Sequence, residues 1–172
     1  RLKEANRYAS SVRPRLQWLL AYLRRVGGSW RINTEAMDSH VWEVWVENSW
    51  KFRLGIWIHA ALAILVLRTF AFTRNFLVRI QNQFIPNLYP DLFATHKPDL
   101  VIASTAGWRM DRYLLREATR HNVSTMAAIV GWDNPSSYAI RGALVDYATC
   151  WSQLQKDELL YGSDWNPDRV HI

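Results

Sequence analysis

The sequence predicts an α/β protein in which a Rossmann-like parallel sheet, with helices on both faces, follows a largely helical first half. Two observations predict this class. After residue 98, short apolar runs typical of buried strands alternate with amphipathic helical stretches. Before that point, apolar residues recur mainly at helical spacing. Strand–helix–strand alternation at this rhythm indicates right-handed crossovers between parallel strands.

The predicted elements of the second half follow one another closely. Helices are predicted at 110–122, with Asn122 as a C-cap, and at 152–162, where Ser152 caps the start and Gly162 stops the helix. The predicted strands are PDLVIAS (98–104), VSTMAAIV (123–130), VDYATCW (145–151) and RVHI (169–172).

The first half begins with a predicted helix over 13–26, where leucines fall at helical spacing, Pro14 suits the first turn and Gly27 suits the stop. The stretch VWEVWVE at 41–47 alternates like a strand but also fits a Trp-rich helix, and both interpretations stay open.

The most apolar stretch, 54–72, is 19 residues long, which approaches the length of a membrane span. It contains His59 and Arg68, and a charge near the bilayer centre costs about 3 kcal/mol. A buried or surface-lying helix is therefore expected, not a spanning one. We favour a helix that covers the sheet, because a doubly wound sheet needs helices on both faces. The alternative is contact with a membrane surface.

Charge and composition restrict the class of protein. The 49% apolar and 21% charged content excludes a disordered chain. Residues 1–90 hold 13 Lys/Arg and 5 Asp/Glu, a net +8, whereas 91–172 hold 8 and 10, a net −2. A basic, Trp-rich first half indicates an anionic partner such as a phospholipid surface, a nucleotide or a nucleic acid, although a solvated helix face explains the charge equally well.

We expect a single Rossmann-like domain over 1–172, consisting of a basic helical part (1–85) and a βαβ core (86–172). The chain starts at Arg1 without an initiator Met and stops inside a predicted strand, so we expect it to be a piece of a longer protein.

Ligands of an open parallel sheet bind beyond the carboxyl ends of its strands. The loop after the first predicted strand places Ser104, Thr105 and Arg109 before a helix, where free backbone N–H groups can hold an anion. The loop matches no phosphate-binding motif, and an ordinary capping role is the simpler interpretation of the two hydroxyls.

The loop after the second predicted strand reads GWDNPSS. These residue types favour turns, so an ordinary turn explains the loop. Its position at the carboxyl end of a strand favours a binding cleft instead. In a cleft, Asp133 would act as general base on a hydroxyl substrate and Trp132 would stack on a sugar or a base. The side chains that would orient the substrate are Asn134, Ser136 and Ser137.

Neither cysteine nor histidine indicates a catalytic or metal centre. Cys150 is predicted to be a small buried hydrophobe, because its reactivity would need a neighbouring base that the sequence does not identify. As the single cysteine it excludes an intramolecular disulfide. The five histidines show no paired ligand spacing, so we expect no metal.

Four stretches follow one another over residues 86–172: PDLVIAS, LLREATRHNVSTMAAIVGWDNPSSY, VDYATCWSQLQKDELLYG and PDRVHI. Together they resemble one group of bacterial GT-B-fold glycosyltransferase-like proteins of surface-polysaccharide assembly. These are related to CDP-glycerol glycerophosphotransferases and UDP-N-acetylglucosamine 2-epimerases. The sequence departs from their pattern at Gly131, where Ser is usual, and over 135–138, where a run with Lys is common.

The resemblance implies the N-terminal, acceptor-side domain of a two-domain, metal-independent enzyme without a cofactor. A C-terminal domain would bind the nucleotide-activated donor, Asp133 would be the base, and this piece alone would be inactive. The acceptor would be a glycan or a lipid-linked molecule. The enzyme would be cytoplasmic, either free or peripheral at the inner face of the cell membrane.

Two alternatives stay open. A nucleotide-sugar 2-epimerase shares the fold but does not need the basic, Trp-rich half. A non-enzymatic basic module could bind a membrane or a nucleic acid through residues 1–90. This module ranks third, because the basic residues form no recognisable DNA- or RNA-binding motif, and nucleic acid is not the expected partner.

Overall fold

The structure, a computed structural model, describes residues 1–47, 50–108, 110–131 and 139–172, without the side chains of 50–54, 56 and 57. It is a mixed α/β fold with a parallel sheet and a helical first half, which confirms the predicted class. The described elements are α1 (Leu2–Ser11), α2 (Pro14–Val26), α3 (Glu35–Glu47), α4 (Trp50–Thr69), α5 (Ala71–Gln81), α6 (Pro90–His96), β1 (Leu100–Ala103), α7 (Asp111–Arg120), β2 (Ser124–Ala128), β3 (Tyr147–Thr149), α8 (Gln153–Ser163), a 3₁₀ turn (Pro167–Arg169) and β4 (Val170–His171).

The four described strands form one parallel sheet in the order β1-β2-β3-β4. The register pairs Ile102 with Met126 and Ala127 with Ala148, and it pairs Thr149 with His171. All four strands were predicted, each a few residues longer than observed. Because the spatial order equals the chain order, right-handed crossovers return every connecting helix to the same face.

Burial alternates along the strands, so the two faces of the sheet differ. Val101 and Ala103 of β1 are buried, as are Ala127 of β2 and Ala148 of β3. These side chains pack with Leu115 and Ala118 of α7 and Leu159 of α8. The core therefore lies between the sheet and one layer of helices.

The opposite face of the sheet is largely exposed to solvent. Leu100 and Ile102 of β1 are 44% and 56% exposed, and Tyr147 of β3 is 37% exposed. Parallel sheets usually bury both faces, which is why helices were expected on each. In the described part of the chain, the hydrophobic clusters that include strand residues lie on the first face.

The helical first half agrees with the sequence at α2, which starts at Pro14 and is followed by the C-cap Gly27. The open choice at 41–47 is resolved, because these residues complete the helix α3. Side chains of α2, α3 and α4 pack together in a cluster that includes Tyr22, Val26 and Ile64.

The favoured interpretation of 54–72, a buried helix covering the sheet, is wrong. The stretch contains most of α4, a break at Phe70 and the start of α5. The described inner residues of α4 contact α2, α3 and α5, and they contact no strand in the hydrophobic clusters. Apolar composition favoured burial, but Leu62 and Leu65 on the outer side are 58% and 53% exposed.

Among the described residues, no single helix is both long and apolar enough to cross a bilayer. The bent pair Ile58–Thr69 and Ala71–Gln81 reaches that length and composition together, with an angle of 111° between its two parts.

The prediction that Gly162 stops the last helix is wrong. Helix α8 continues through Ser163, and the left-handed C-cap is Asp164 with φ 56°. Gly162 is instead a packing position, because a Cβ there would overlap the side chain of Ile32. The predicted cap at Asn122 is one residue beyond His121, which is the C-cap of α7, and Asn122 adopts φ 56°. A left-handed residue just after the C-cap is a common helix ending.

Candidate functional site

The carboxyl ends of β1 and β2 meet at one edge of the sheet, as parallel pairing requires. Ser104 and Thr105 follow β1 directly, and Ile129 to Gly131 follow β2. The other residues predicted for the site lie outside the described residues, so their placement stays a prediction: Arg109, Trp132, Asp133, Asn134, Ser136 and Ser137.

The two described hydroxyls both bond the first residue of the next helix. Ser104 Oγ and Thr105 Oγ1 donate to Asp111 Oδ2 at 3.1 and 2.9 Å. Thr105 Oγ1 also accepts from the backbone N–H of Trp108 at 2.8 Å. A carboxylate in the first turn also suits the positive end of the helix dipole. In this geometry the hydroxyls shape the loop and position Asp111, which agrees with the capping interpretation.

A small cavity of about 30 Å³ lies at this edge. Its wall includes Thr105 and Trp108 from the loop after β1 and Ile129 from the end of β2. A cavity of this volume holds a water molecule or a single ligand oxygen, since about 10–15 Å³ is enough for one water. The described residues that line its opposite side are Arg24, Ile140, Arg141, Leu159, Ser163 and Trp165.

Two residues that line this cavity each have a buried donor with no hydrogen-bond partner among the described residues. The donors are Nε of Arg141 and Nε1 of Trp165, and Trp165 is 4% exposed. The Arg141 guanidinium lies over the Trp165 ring, 5.0 Å from its centroid, and its Nη2 donates to Asn75 Oδ1 at 3.1 Å. A buried N–H donor without an acceptor carries a desolvation penalty of roughly 1–3 kcal/mol. An acceptor oxygen entering the cavity would relieve it.

Buried cations surround the same edge. Arg24 is 4% exposed and donates from Nη1 to the carbonyl of Gly107 at 2.8 Å. Arg116, also 4% exposed, donates from Nε and Nη2 to the carbonyl of Gly142 at 3.0 and 2.6 Å. Burial, followed by the neighbouring charges of Arg112 and Arg24, lowers the pKa of Arg116 to about 9. Burial also lowers the pKa of Arg141, against an opposing effect of Asp164. This electrostatic environment favours an anion.

Two glycines allow the loop after β1 and the loop before β3 to pack closely against each other at this edge. Gly107 has φ 99°, and the N–H of Gly142 donates to the carbonyl of Ala106 at 2.7 Å. A Cβ on Gly142 would overlap the Gly107 carbonyl and a terminal nitrogen of Arg24. Only glycine therefore lets these two loops approach each other, and the approach supplies the carbonyls that Arg24 and Arg116 bind.

The entrance of the loop GWDNPSS is anchored from the next strand–helix unit. Trp151 Nε1 donates to the carbonyl of Ile129 at 2.6 Å, and Gln155 Nε2 donates to the carbonyl of Gly131 at 2.9 Å. Gln155 Oε1 in turn accepts from the N–H of Trp151 at 3.0 Å. These bonds fix where the chain leaves β2, and so they fix the origin of the segment that contains Asp133.

Two predictions beside the edge are confirmed. Cys150 is 7% exposed and lies in the main core cluster, and burial raises the pKa of its thiol. Ser152 is the N-cap of α8, where its hydroxyl accepts from the N–H of Gln155 at 3.3 Å.

Sequence reasoning missed the arginines, Trp151 and Gln155. Arg24 and Arg116 lie on helices, where a basic residue usually faces solvent, so spacing gave no reason to select them. The signal that could have found them is the pair of small-residue stretches, Thr105-Ala106-Gly107 and Gly142-Ala143, which allow close backbone approach.

Among the described residues, no three of His, Cys, Asp and Glu lie together in a group that could hold a metal ion. Comparison of the chain with family models, curated proteins and solved structures gave no match.

Proposed function

We propose that this chain is the acceptor-side domain of an enzyme that transfers a glycosyl or glycerophosphate group from a nucleotide-activated donor during cell-surface polysaccharide synthesis. The proposal combines the resemblance over residues 86–172 with a parallel sheet whose carboxyl edge carries the candidate loops. In the proposed enzyme a second domain holds the donor. The enzyme works on the cytoplasmic side of the membrane, at its surface.

The observation that carries the proposal is the cationic edge. Arg141 and Trp165 line a cavity beside the buried Arg24, and each has a donor without an acceptor in the part of the chain that the structure describes. Donors of this kind suit an oxygen of a phosphate or carboxylate group. They support an acceptor that carries an anionic group, bound with that group at the cavity and its reacting hydroxyl near the loop after β2.

In this mechanism Asp133 removes the proton of the acceptor hydroxyl. The hydroxyl oxygen then attacks the donor carbon or phosphorus, and the nucleotide leaves with the bonding electron pair on its phosphate oxygen. Backbone anchoring of Ile129 and Gly131 by Trp151 and Gln155 would keep the base in position. Positioning of this kind contributes much of the rate in transfer reactions.

The test is nucleotide release from a panel of nucleotide sugars and CDP-glycerol, using the gene product at its full length with glycan and lipid-linked acceptors. We expect acceptor-dependent release that falls at least about a hundredfold in Asp133→Asn. Asp168→Asn, an exposed acid on the 3₁₀ turn, is the matched control and should keep full activity.

Arg141→Gln tests the cationic edge separately. We expect a raised KM for the acceptor with a smaller change in kcat, because the side chain binds the acceptor's anionic group in the ground state. Full activity in Asp133→Asn would show that Asp133 is not the general base. Acceptor-independent epimerisation of a nucleotide sugar would replace the transferase with an epimerase, and absence of any turnover would reject an enzyme of either kind.

A further inference from the structure

Among the described residues, seven large apolar side chains of α4, α5 and the break between them are exposed. These residues are called the outer apolar surface below. Phe72 is the most exposed, at 71%, and Val66 is the least, at 43%. Monomeric proteins rarely expose so many apolar side chains together without a partner. The members are Ile58, Leu62, Leu65, Val66, Phe70, Phe72 and Phe76.

The outer apolar surface is a second apolar stripe, separate from the face that packs into the core. Ile58, Leu62 and Leu65 follow the i, i+4, i+7 spacing of one helix side. The core-facing side of α4 holds different residues, such as Ile64 and Leu67, which are buried. A helix that is apolar on both sides needs a second apolar environment.

A wide groove lies between α2 and α4, and its α4 wall is next in sequence to Ile58 and Leu62. Its volume is about 950 Å³. Trp18 and Leu19 of α2 form one wall, 50% and 41% exposed, and His59 and Ala63 of α4 belong to the other. An exposed Trp beside aliphatic side chains suits the boundary between lipid headgroups and acyl chains, where its ring meets both environments.

The helices α2, α4 and α5 carry basic side chains and no acidic ones. The sequence contains no Asp or Glu over residues 5–34 or over 48–90, and these ranges include all of α2, α4 and α5. Arg13 and Arg15 are exposed at the start of α2, and Arg79 is exposed on α5, three residues after Phe76. By contrast, the buried Arg68 and Arg74 are paired, with Asp38 and Asp164. The three helices therefore contribute exposed positive charge and no acid of their own, while on the neighbouring α3 Asp38 pairs with Arg68 and Glu43 with His40.

We propose that α2, α4 and α5 together bind the surface of an anionic phospholipid bilayer. In the bound state the outer apolar surface enters the headgroup and upper acyl region, and the arginines contact lipid phosphates. Apolar burial supplies most of the affinity, and each basic side chain near the surface adds to it. This proposal does not depend on the proposed transferase, because vesicle binding is measured without substrate or turnover.

The experiment is flotation with phosphatidylcholine vesicles, with and without phosphatidylglycerol, in low and high salt. We expect the chain to float with the anionic vesicles, and less so at high salt. The double variant Phe72→Ser with Phe76→Ser should lower the partition coefficient at least about tenfold, because each ring contributes its burial in the lipid. Circular dichroism confirms that the variant is folded.

Matched controls come from the sheet half of the chain. Leu154→Ser removes an equally exposed apolar residue, 72% exposed on α8, and should leave vesicle binding unchanged. Arg79→Gln should weaken binding to anionic vesicles more than Arg120→Gln, since Arg120 is an exposed base on α7.

Three outcomes would overturn the proposal. One is the absence of flotation with either kind of vesicle, and another is equal flotation of the Phe double variant. The third is concentration-dependent self-association that the Phe variants abolish while vesicles fail to bind, which would assign the outer apolar surface to a second copy of the chain.

Discussion

Arg74 and Asp164 form a bidentate ion pair, with Nε–Oδ2 and Nη2–Oδ1 distances of 2.6 and 2.7 Å. They are 90 residues apart in sequence and connect α5 to the residue that ends α8. Arg74 is 4% exposed, so the pair is largely removed from water. It joins the helical first half to the sheet half at the side of the candidate site, next to Trp165.

We predict that Asp164→Asn destabilises the fold by roughly 2–4 kcal/mol, because removing one partner leaves a buried guanidinium uncompensated. Asn tolerates the left-handed backbone at this position, so the loss reports charge and not backbone strain. Urea denaturation measures the free energy of unfolding. Asp168→Asn, an exposed acid nearby in sequence, should change it by less than about 0.5 kcal/mol. Equal free energies of unfolding for Asp164→Asn and Asp168→Asn would show that the ion pair does not stabilise the fold.

Two glycine-to-alanine changes should have opposite effects. Gly142→Ala places a Cβ against the Gly107 carbonyl and Arg24, so we expect a loss of about 3 kcal/mol or more. Gly55→Ala lies within α4 with nothing within 4 Å of the added Cβ, so we expect a gain of up to about 1 kcal/mol from helix propensity. Thermal and urea unfolding of both variants test this. A tolerated Gly142→Ala would mean that the two loops can separate.

The thiol of Cys150 should react slowly with iodoacetamide in the folded protein. Burial removes access and raises its pKa, so little thiolate is present at pH 8. We expect alkylation at least about tenfold slower than for free cysteine, with the normal rate restored in urea. Mass spectrometry over time gives both rates. Rapid reaction of the folded chain would show that the core opens beside β3.

Glu158 should make the fold less stable at neutral pH than a neutral residue would. Burial raises the pKa of its carboxyl above the ordinary 4.5, so the ionised form is disfavoured in the folded state. Glu158→Gln should therefore raise the melting temperature at pH 7. Below pH 4.5 this advantage should disappear, because the wild-type carboxyl is then protonated in both states. An unchanged melting temperature in Glu158→Gln at pH 7 would show that this carboxyl does not destabilise the fold.

The sheet was predictable because its signals are local. Runs such as Leu100–Ala103 and Ser124–Ala128 are short, apolar and bounded by turn residues, and the stretches between them have helical spacing. In the part of the chain that the structure describes, helices cover one face of the sheet, and this was not predictable from the runs themselves. An apolar strand residue such as Ile102 is equally apolar whether a helix covers it or not.

The prediction for helix α4 was limited in the same way. Its composition indicates an apolar environment, but composition does not distinguish a protein core from a lipid surface or from solvent exposure of the outer side. The candidate site was predictable only in its location at the strand ends. Its arginines come from α2, α7 and the loop before β3, and no sequence pattern brings Arg24 beside Arg141.

The corner between α4 and α5 is held by side chains of α5 that satisfy the last carbonyls of α4. Arg74 Nη1 donates to the carbonyls of Leu67 and Arg68, and Thr73 Oγ1 donates to the carbonyl of Val66. The last carbonyls of a helix have no partner within the helix. Here side chains of α5 donate to them, so the corner between α4 and α5 is held at a fixed angle and is not a hinge. Straightening the two helices into one rod would withdraw Arg74 from its carbonyl acceptors and pull against Asp164. The same arginine thus sets the angle at which the exposed phenylalanines Phe70 and Phe72 are presented.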